Sequence, residues 1–376
     1  MFGGYRQTIV CSAAVVIVAG ALANVAPAAI AQQCQAVYAG MEVTQAIQHY
    51  PAAAVDMVPL VDGRATTARI YFTTSPPGCG PVPNVTGRLR VLDGASILVD
   101  IRTPDNRSIT VPPDPPGPDR EQENDTLNFT FIPKMSSFPP PIDARTLKLA
   151  FYRNEQWVAQ PTFTFNVLQC TPTFRGVPVN YTYPPPADPT YGQPDRALIA
   201  QSVGDDMLWG VWPFPEPKYG VSYNLVYGPA INLDLDINTG AGERRLFKAM
   251  NDILATTSPQ PDYFYAWFKL NPFWGNGLAQ GIPSRLAFGN TQDIRYKRTY
   301  AHELGHNFGL VHNDHAIDPD VGWDVYRPNG RIQLGHVMPR SKFDIMVPGL
   351  LTHEAWVNDA SYEDVMSAFN NREGAV

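Results

Sequence analysis

The run His302-Glu303-Leu304-Gly305-His306-Asn307-Phe308-Gly309-Leu310-Val311-His312 has the residue types and spacing to hold one divalent metal ion. His302 and His306 are four apart, so on an α-helix they stand one above the other on the same face. Two imidazoles so placed can share an ion at the usual Zn–N distance of about 2.0–2.1 Å. Gly309 follows three residues after His306 and can take the left-handed conformation that ends a helix. His312 can then swing back as a third ligand. Three neutral nitrogens leave a fourth position open, which is the catalytic arrangement and not the closed structural one. Glu303, next to His302, is placed to take a proton from water at that position without binding the metal itself. Ordinary helix histidines meeting by chance are the plainer explanation. The whole chain has only seven histidines, and three of them fall at prescribed places beside a Glu and a Gly.

His302-Glu303-x-x-His306-x-x-Gly309-x-x-His312 resembles the extended zinc signature of the metzincin metallopeptidases. That resemblance implies a methionine-containing turn downstream, under the ligands. Phe343-Asp344-Ile345-Met346-Val347-Pro348, beginning 31 residues after His312, looks like it, with Met346 as the turn methionine. Pro348 stands where some members carry a tyrosine ligand, so no such ligand is carried over. The resemblance further implies a secreted zinc-dependent endopeptidase with one catalytic Zn²⁺, a protein or peptide substrate, and Glu303 as general base. Gly277-Leu278-Ala279 is similar to the family's edge strand, to which a substrate would add as a further strand. Tyr326 and His315 both stand as candidates for a second oxyanion donor, and the sequence does not choose between them. Two other readings stay open: a surface-binding or adhesion protein with a non-catalytic zinc fold, and a zinc hydrolase of a non-peptide amide or ester. Pro77-Gly78-Cys79-Gly80 is faintly similar to a latent-form cysteine switch, but the usual flanking residues are missing and a disulfide or loop thiol is the plainer reading.

Elements that must position this run can be read from periodicity. Seven strands are expected before residue 168: Ala36–Ile47, Thr67–Thr74, Thr86–Leu92, Ser96–Ile101, Thr126–Ile132, Thr146–Tyr152 and Thr162–Val167. Several alternate as half-buried strands do, with Leu89 and Val91 against Arg88 and Arg90. Proline clusters separate them, which suggests an all-β, immunoglobulin-like sandwich. Met41–Gln48 also looks like the opening strand of a sandwich found in some bacterial secreted metallopeptidases. Leu168–Asp188, with Pro184-Pro185-Pro186, reads as a join that resists helix and sheet. Beyond it the pattern is mixed α/β. Helices are expected over Pro194–Trp209, Gly242–Ala255 and Glu354–Phe369, and a zinc-bearing helix opening near Asn290 or Thr291. Strands are expected at Ser222–Tyr227, Ile231–Ile237, Asp262–Leu270 and, at an edge, Gly277–Phe288. The domain division is therefore a signal peptide over 1–31, a β-sandwich over 32–168 and a metallopeptidase domain over 169–376.

Composition agrees with a folded, exported protein. The chain has 376 residues, of which 44% are hydrophobic and 17% charged, too apolar and too weakly charged to be disordered throughout. Its 37 prolines and 29 glycines favour short strands and long loops. Residues 1–31 carry one charge, Arg6, then an uncharged stretch ending in Ala29-Ile30-Ala31, the pattern of an export signal cleaved before Gln32. Its removal takes the net charge from −7 to −8, and no basic patch suited to nucleic acid is present. No later segment is apolar enough for stable membrane insertion, while the sandwich offers a surface for cell-surface or glycan contact. Cys34, Cys79 and Cys170 remain, which allows one disulfide and one free thiol, with a slight preference for Cys34–Cys170. The runs Asp234/Asp236/Asn238 and Asp314/Asp318/Asp320 offer oxygen ligands for structural Ca²⁺, against the plainer reading of solvated carboxylates. Sequons stand at Asn84, Asn106, Asn124, Asn128 and Asn180.

Overall fold

The computed structural model describes residues 33–49, 57–133, 144–168, 172–184, 192–195, 199, 206–215, 223–224, 229–269, 275–291, 295–318, 320–324 and 335–370. The export segment, Cys170, Tyr326 and most of the helix expected over Pro194–Trp209 lie outside them.

The described chain is mostly β, arranged in several sheets. Gln35–Thr44, Thr66–Ser75 and Thr126–Phe131 form an antiparallel sheet. A second sheet has the order Leu60–Val61, Thr162–Asn166, Ala144–Arg153, Arg88–Asp93, Ser96–Ile101, with Gln156–Ala159 on the flank of Ala144–Arg153. Ala68, Ile70, Phe72, Leu127 and Phe129 from the first sheet share one core with Leu89, Val91, Leu147, Leu149 and Phe151 from the second. Alternation explains the arrangement: Leu89 and Val91 are fully buried, while Arg88 and Arg90, alternating with them, are half-buried and face Asp100 on the neighbouring strand. All seven strands read from the sequence are present here, their ends displaced by at most three residues.

The cysteine preference is corrected. Cys34 bonds Cys79, with Cα atoms 5.6 Å apart. The reason is register: Gln35 pairs with Ser75, so the loop beyond Ser75 passes beside Cys34.

After residue 168 a mixed sheet has the order Tyr223–Asn224, Phe174–Tyr181, Tyr263–Phe268, Leu286–Asn290, Gly277–Ala279, with Ile231–Leu233 also on Phe174–Tyr181. All pairs are parallel except the last strand, Gly277–Ala279, which is antiparallel. Tyr263, Tyr265 and Trp267 face one core and Phe264, Ala266 and Phe268 the other, the two-sided burial of a covered parallel sheet. Helix α1 (Asp206–Val211), α3 (Tyr296–Phe308) and α4 (Asp359–Asn370) pack with the first core. Helix α2 (Gly240–Thr256) covers the second through Leu246, Phe247, Met250 and Leu254, and Thr239 caps it by accepting from the Gly242 N–H.

Three expectations about this half need correction. Leu168–Asp188 is not free of sheet: Phe174–Tyr181 is an interior strand, because Val177, Val179 and Tyr181 alternate into a core while the prolines read as breakers flank it. Gly277–Phe288 is not one strand but two, Gly277–Ala279 folding back on Leu286–Asn290. The zinc-bearing helix does not open at Asn290 or Thr291. Asn290 ends a strand and donates its Nδ2 to the Asn276 carbonyl, and α3 starts at Tyr296 after Arg295 with no side-chain cap.

From Cys34 to Val376 the chain forms one compact unit. Ala46, Ile47, Val58 and Val61 join the core that holds Trp212, Leu304, Met346 and Phe369. Among the described residues no helix is long and apolar enough to cross a membrane.

Candidate metal centre

Helix α3 carries His302, Glu303 and His306, all nearly buried, on a segment packed against the sheet by Ala301, Leu304 and Phe308. The helix stops at Gly309, whose φ of +114° lies in the left-handed region that side chains rarely adopt. The chain reverses there: the Gly309 N–H donates to the His306 carbonyl at 3.0 Å and the Leu310 N–H to the Gly305 carbonyl at 3.0 Å. That reversal brings the exposed His312 back over the helix.

The three imidazoles converge. His312 Nε2 lies 3.0 Å from His302 Nε2 and 3.1 Å from His306 Nε2. The opposite edges of the two helix imidazoles face carbonyls, with His302 Nδ1 2.8 Å from the Ile345 oxygen and His306 Nδ1 2.8 Å from the Leu310 oxygen. Carbonyls only accept, so each Nδ1 carries the proton and each Nε2 turns a lone pair inward. Burial pushes all three histidines below the ordinary histidine range, with the Arg298 charge as a further cause. They are therefore neutral, the form in which imidazole binds a metal. Three neutral nitrogens at this spacing fit a zinc-class ion held at about 2.0–2.1 Å, and three ligands leave a fourth coordination position unfilled by protein.

Glu303 sits beside this cluster. Burial pushes its carboxyl up to about 8, opposed by the Arg298 charge and by a hydrogen bond from the Ala279 N–H. The edge strand Gly277–Ala279 thus touches the acid directly. A Cβ on Gly277 would meet Glu303 Cγ at 2.7 Å and Oε1 at 2.8 Å, so this place on the strand is closed to side chains.

The segment expected to turn beneath the histidines does so. Met346 is fully buried, and its Sδ would lie 2.5 Å from a Cβ placed on Gly305. Arg298, one helical turn before His302, donates to the Ile345 carbonyl at 3.1 Å and to the Val347 carbonyl, clamping the turn to α3. Burial brings the Arg298 guanidinium down to about 10.

Sequence reasoning passed over Asp344, whose role is visible only in three dimensions. Its fully buried Oδ1 accepts from the Met346 N–H at 2.9 Å, Asn313 Nδ2 at 2.8 Å and Ser361 Oγ at 3.1 Å. Its Oδ2 accepts from the Asn358 N–H at 2.9 Å. One carboxylate therefore ties the residue after His312, the methionine turn and the approach to α4. Arg298 and Gly305 were likewise unassigned. The available signal was their placement next to, or one turn from, residues already singled out.

Other candidates do not gather at the histidines. His315 is exposed with its Nδ1 3.9 Å from Asp314, and Tyr326 is outside the described residues. Cys79 is in the disulfide. Among the described residues the two acidic runs form no group with common ligand spacing. Asp236 accepts from Asn238, Asp318 lies 4.0 Å from Arg340, and Asp320 turns away to His49.

No family model and no curated protein matches this chain. Among solved structures, one described as "Structure of a chaperone-substrate complex" shares 11% identity with a TM-score of 0.29, over 65% of this chain and 39% of that one. The chain thus spans well under half the length of that structure.

Proposed function

We propose that this chain is a secreted, metzincin-type zinc endopeptidase with an immunoglobulin-like sandwich preceding its peptidase fold. The observation that carries the reading is the convergence of three inward-facing imidazole nitrogens next to the buried carboxyl of Glu303. A Zn²⁺ ion there would supply Lewis-acid activation of water and of a peptide carbonyl. His302, His306 and His312 would hold the ion, and carbonyl partners fix the His302 and His306 rings. Glu303 takes a proton from the attacking water and returns it to the leaving amine. Gly277–Ala279 offers its outer edge to an extended peptide, which would lie across Glu303. The Cys34–Cys79 bond accords with an oxidising compartment.

Glu303→Gln tests the reading. It should retain zinc while peptide cleavage falls by about 10²–10⁴-fold, mainly in kcat. His302→Ala or His306→Ala should lose zinc and activity together. Undiminished cleavage by a zinc-loaded Glu303→Gln protein would sink the mechanism. Stable zinc binding without cleavage across a broad peptide library would favour the surface-binding reading.

A further inference from the structure

One charge beside the three histidines takes no part in the chemistry of Glu303. Arg298 stands one turn before His302 on the same face of α3, and its side chain is almost wholly buried. Its Nη2 has two hydrogens, which go to the Ile345 carbonyl at 3.1 Å and to the Val347 carbonyl. His302 Nδ1 lies 3.2 Å from the same Nη2 and donates its own proton to the Ile345 oxygen at 2.8 Å. The approach of Nη2 to Nδ1 is therefore no hydrogen bond. A guanidinium is pressed against the rim of a ligand ring.

No acid neutralises it. Among the described residues no carboxylate lies within ion-pair distance of Arg298. The acids that its charge reaches are engaged elsewhere. Asp344 accepts from four donors, Glu354 Oε2 from the Leu351 N–H at 2.7 Å, and Glu303 from the Ala279 N–H. Arg295, the other charged neighbour, adds to the positive side. Two further buried guanidiniums do have acids: Arg145 meets Asp62 at 2.6 Å and Arg69 meets Glu42 at 3.6 Å. Arg64 grips carbonyls alone, so a plain clamp is the simpler role for Arg298. Two features separate them. The turn that Arg298 grips is already held by Asp344, and its charge stands against a metal ligand, where a fixed cation opposes the binding of another.

We propose, resting on the reading of the three histidines as zinc ligands, that Arg298 acts through His302 as an electrostatic brake on metal affinity. A zinc-class ion held there is more electron-poor, and a stronger Lewis acid, than three imidazoles alone would leave it. Clamp and brake predict opposite signs. Losing a clamp loosens the ion, whereas losing a repelling charge tightens it.

Zinc dissociation constants of the full chain, measured by competition with a fluorescent chelator, test this. Glu303→Gln protein is the parent, so that no change in the charge of that neighbour enters. Arg298→Met removes the charge and keeps most of the side-chain volume, and Arg298→Lys keeps the charge. Across one imidazole ring a unit charge repels a doubly charged ion by a factor of about 10 even at a water-like dielectric. Arg298→Met should therefore bind zinc about 10-fold tighter than the parent or more, with Arg298→Lys within about 3-fold of it. Should Arg298→Met fail to fold, Arg298→Gln, neutral but polar, carries the same expectation. Affinity no tighter in the neutral variant than in the parent would overturn the proposal, as would equal tightening in Arg298→Lys. Failure of the zinc reading looks different, because His302→Ala would then leave the zinc affinity of the parent unchanged.

Discussion

Asp344 gives the sharpest test of how the three-histidine cluster is held. Its carboxylate accepts four hydrogen bonds, three on Oδ1 and one on Oδ2, and is fully buried. Asp344→Ala strands four donors, from Met346, Asn313, Ser361 and Asn358. A buried donor left without a partner costs about 1–3 kcal/mol, and water entering the vacated space recovers part of it, so a loss of roughly 3–5 kcal/mol is expected. Asp344→Asn keeps the Oδ1 interactions but turns an NH₂ group toward the Asn358 N–H. It should cost about 1–2 kcal/mol, one lost bond and one donor facing another. Guanidinium unfolding of the zinc-free proteins measures both. Zinc retention against a chelator supplies a reading that a merely structural role would not move. Asn313 directly follows His312, so freeing its side chain should weaken zinc by about 10–100-fold, the usual effect of losing an outer partner of a ligand. If Asp344→Ala stays within 0.5 kcal/mol of wild type, by the usual ~0.5 kcal/mol spread of neutral changes, and holds zinc as long, the reasoning is wrong.

Two further outcomes are expected. In zinc-free protein, Glu303 has a carboxyl raised from 4.5 to about 8, so the folded state binds its proton more tightly and stability falls as pH rises between those values. The three histidines, lowered from 6.5, act oppositely but only below that value, which leaves pH 6.5–8 as the window for Glu303. At 1.36 kcal/mol per pH unit, wild type should lose about 2 kcal/mol across it relative to Glu303→Gln, and matching urea midpoints for the two proteins at both ends would contradict the burial argument. Gly305→Ala should gain up to about 1 kcal/mol in helix propensity but lose about 1–3 kcal/mol by driving a Cβ into Met346. Thermal unfolding should show net destabilisation that Met346→Ala partly relieves, and additive losses would exclude the contact.

The histidine run was legible because everything it needs lies within eleven residues: helical spacing, then a glycine free to take positive φ. The strands before residue 168 were legible for a related reason, since alternation is local and each has one buried face. Phe174–Tyr181 was missed because an interior parallel strand is buried on both faces and carries Pro178, so its pattern resembles the loops around it. The hairpin of Gly277–Ala279 and Leu286–Asn290 was legible in part, since Gly281 and Pro283 mark its turn in the sequence, a break that the expectation of one edge strand passes over. Cys34–Cys79 depends on register between strands thirty residues apart, which no local signal encodes. Asp344 was hidden for the same reason: besides the nearby Met346 N–H, its donors come from Asn313 and from Asn358 and Ser361, which only folding brings to it.

Long-range joins of this kind also tie the strand-rich first half to the helix that carries His302 and His306. Trp212 lies under α3 and donates its Nε1 to the Ala301 carbonyl at 3.1 Å, one residue before His302. Trp212 is held in turn by Arg64, whose buried guanidinium donates to the Trp212 carbonyl, to Phe214 at 3.1 Å and to Gly210 at 2.8 Å. Trp356, just before α4, donates to the Ala46 carbonyl at 2.8 Å. Gln45 binds both the N–H and the carbonyl of Val61, which fixes the segment presenting Arg64. A cut at residue 168 would leave three carbonyls around α1 without their guanidinium and expose the face of the core now covered by Ile47, Val58 and Val61. The helix bearing His302 and His306 rests on that core through Leu304 and Phe308. Its rigidity, and hence the fixed spacing of its imidazoles, therefore depends on side chains supplied more than two hundred residues earlier in the sequence.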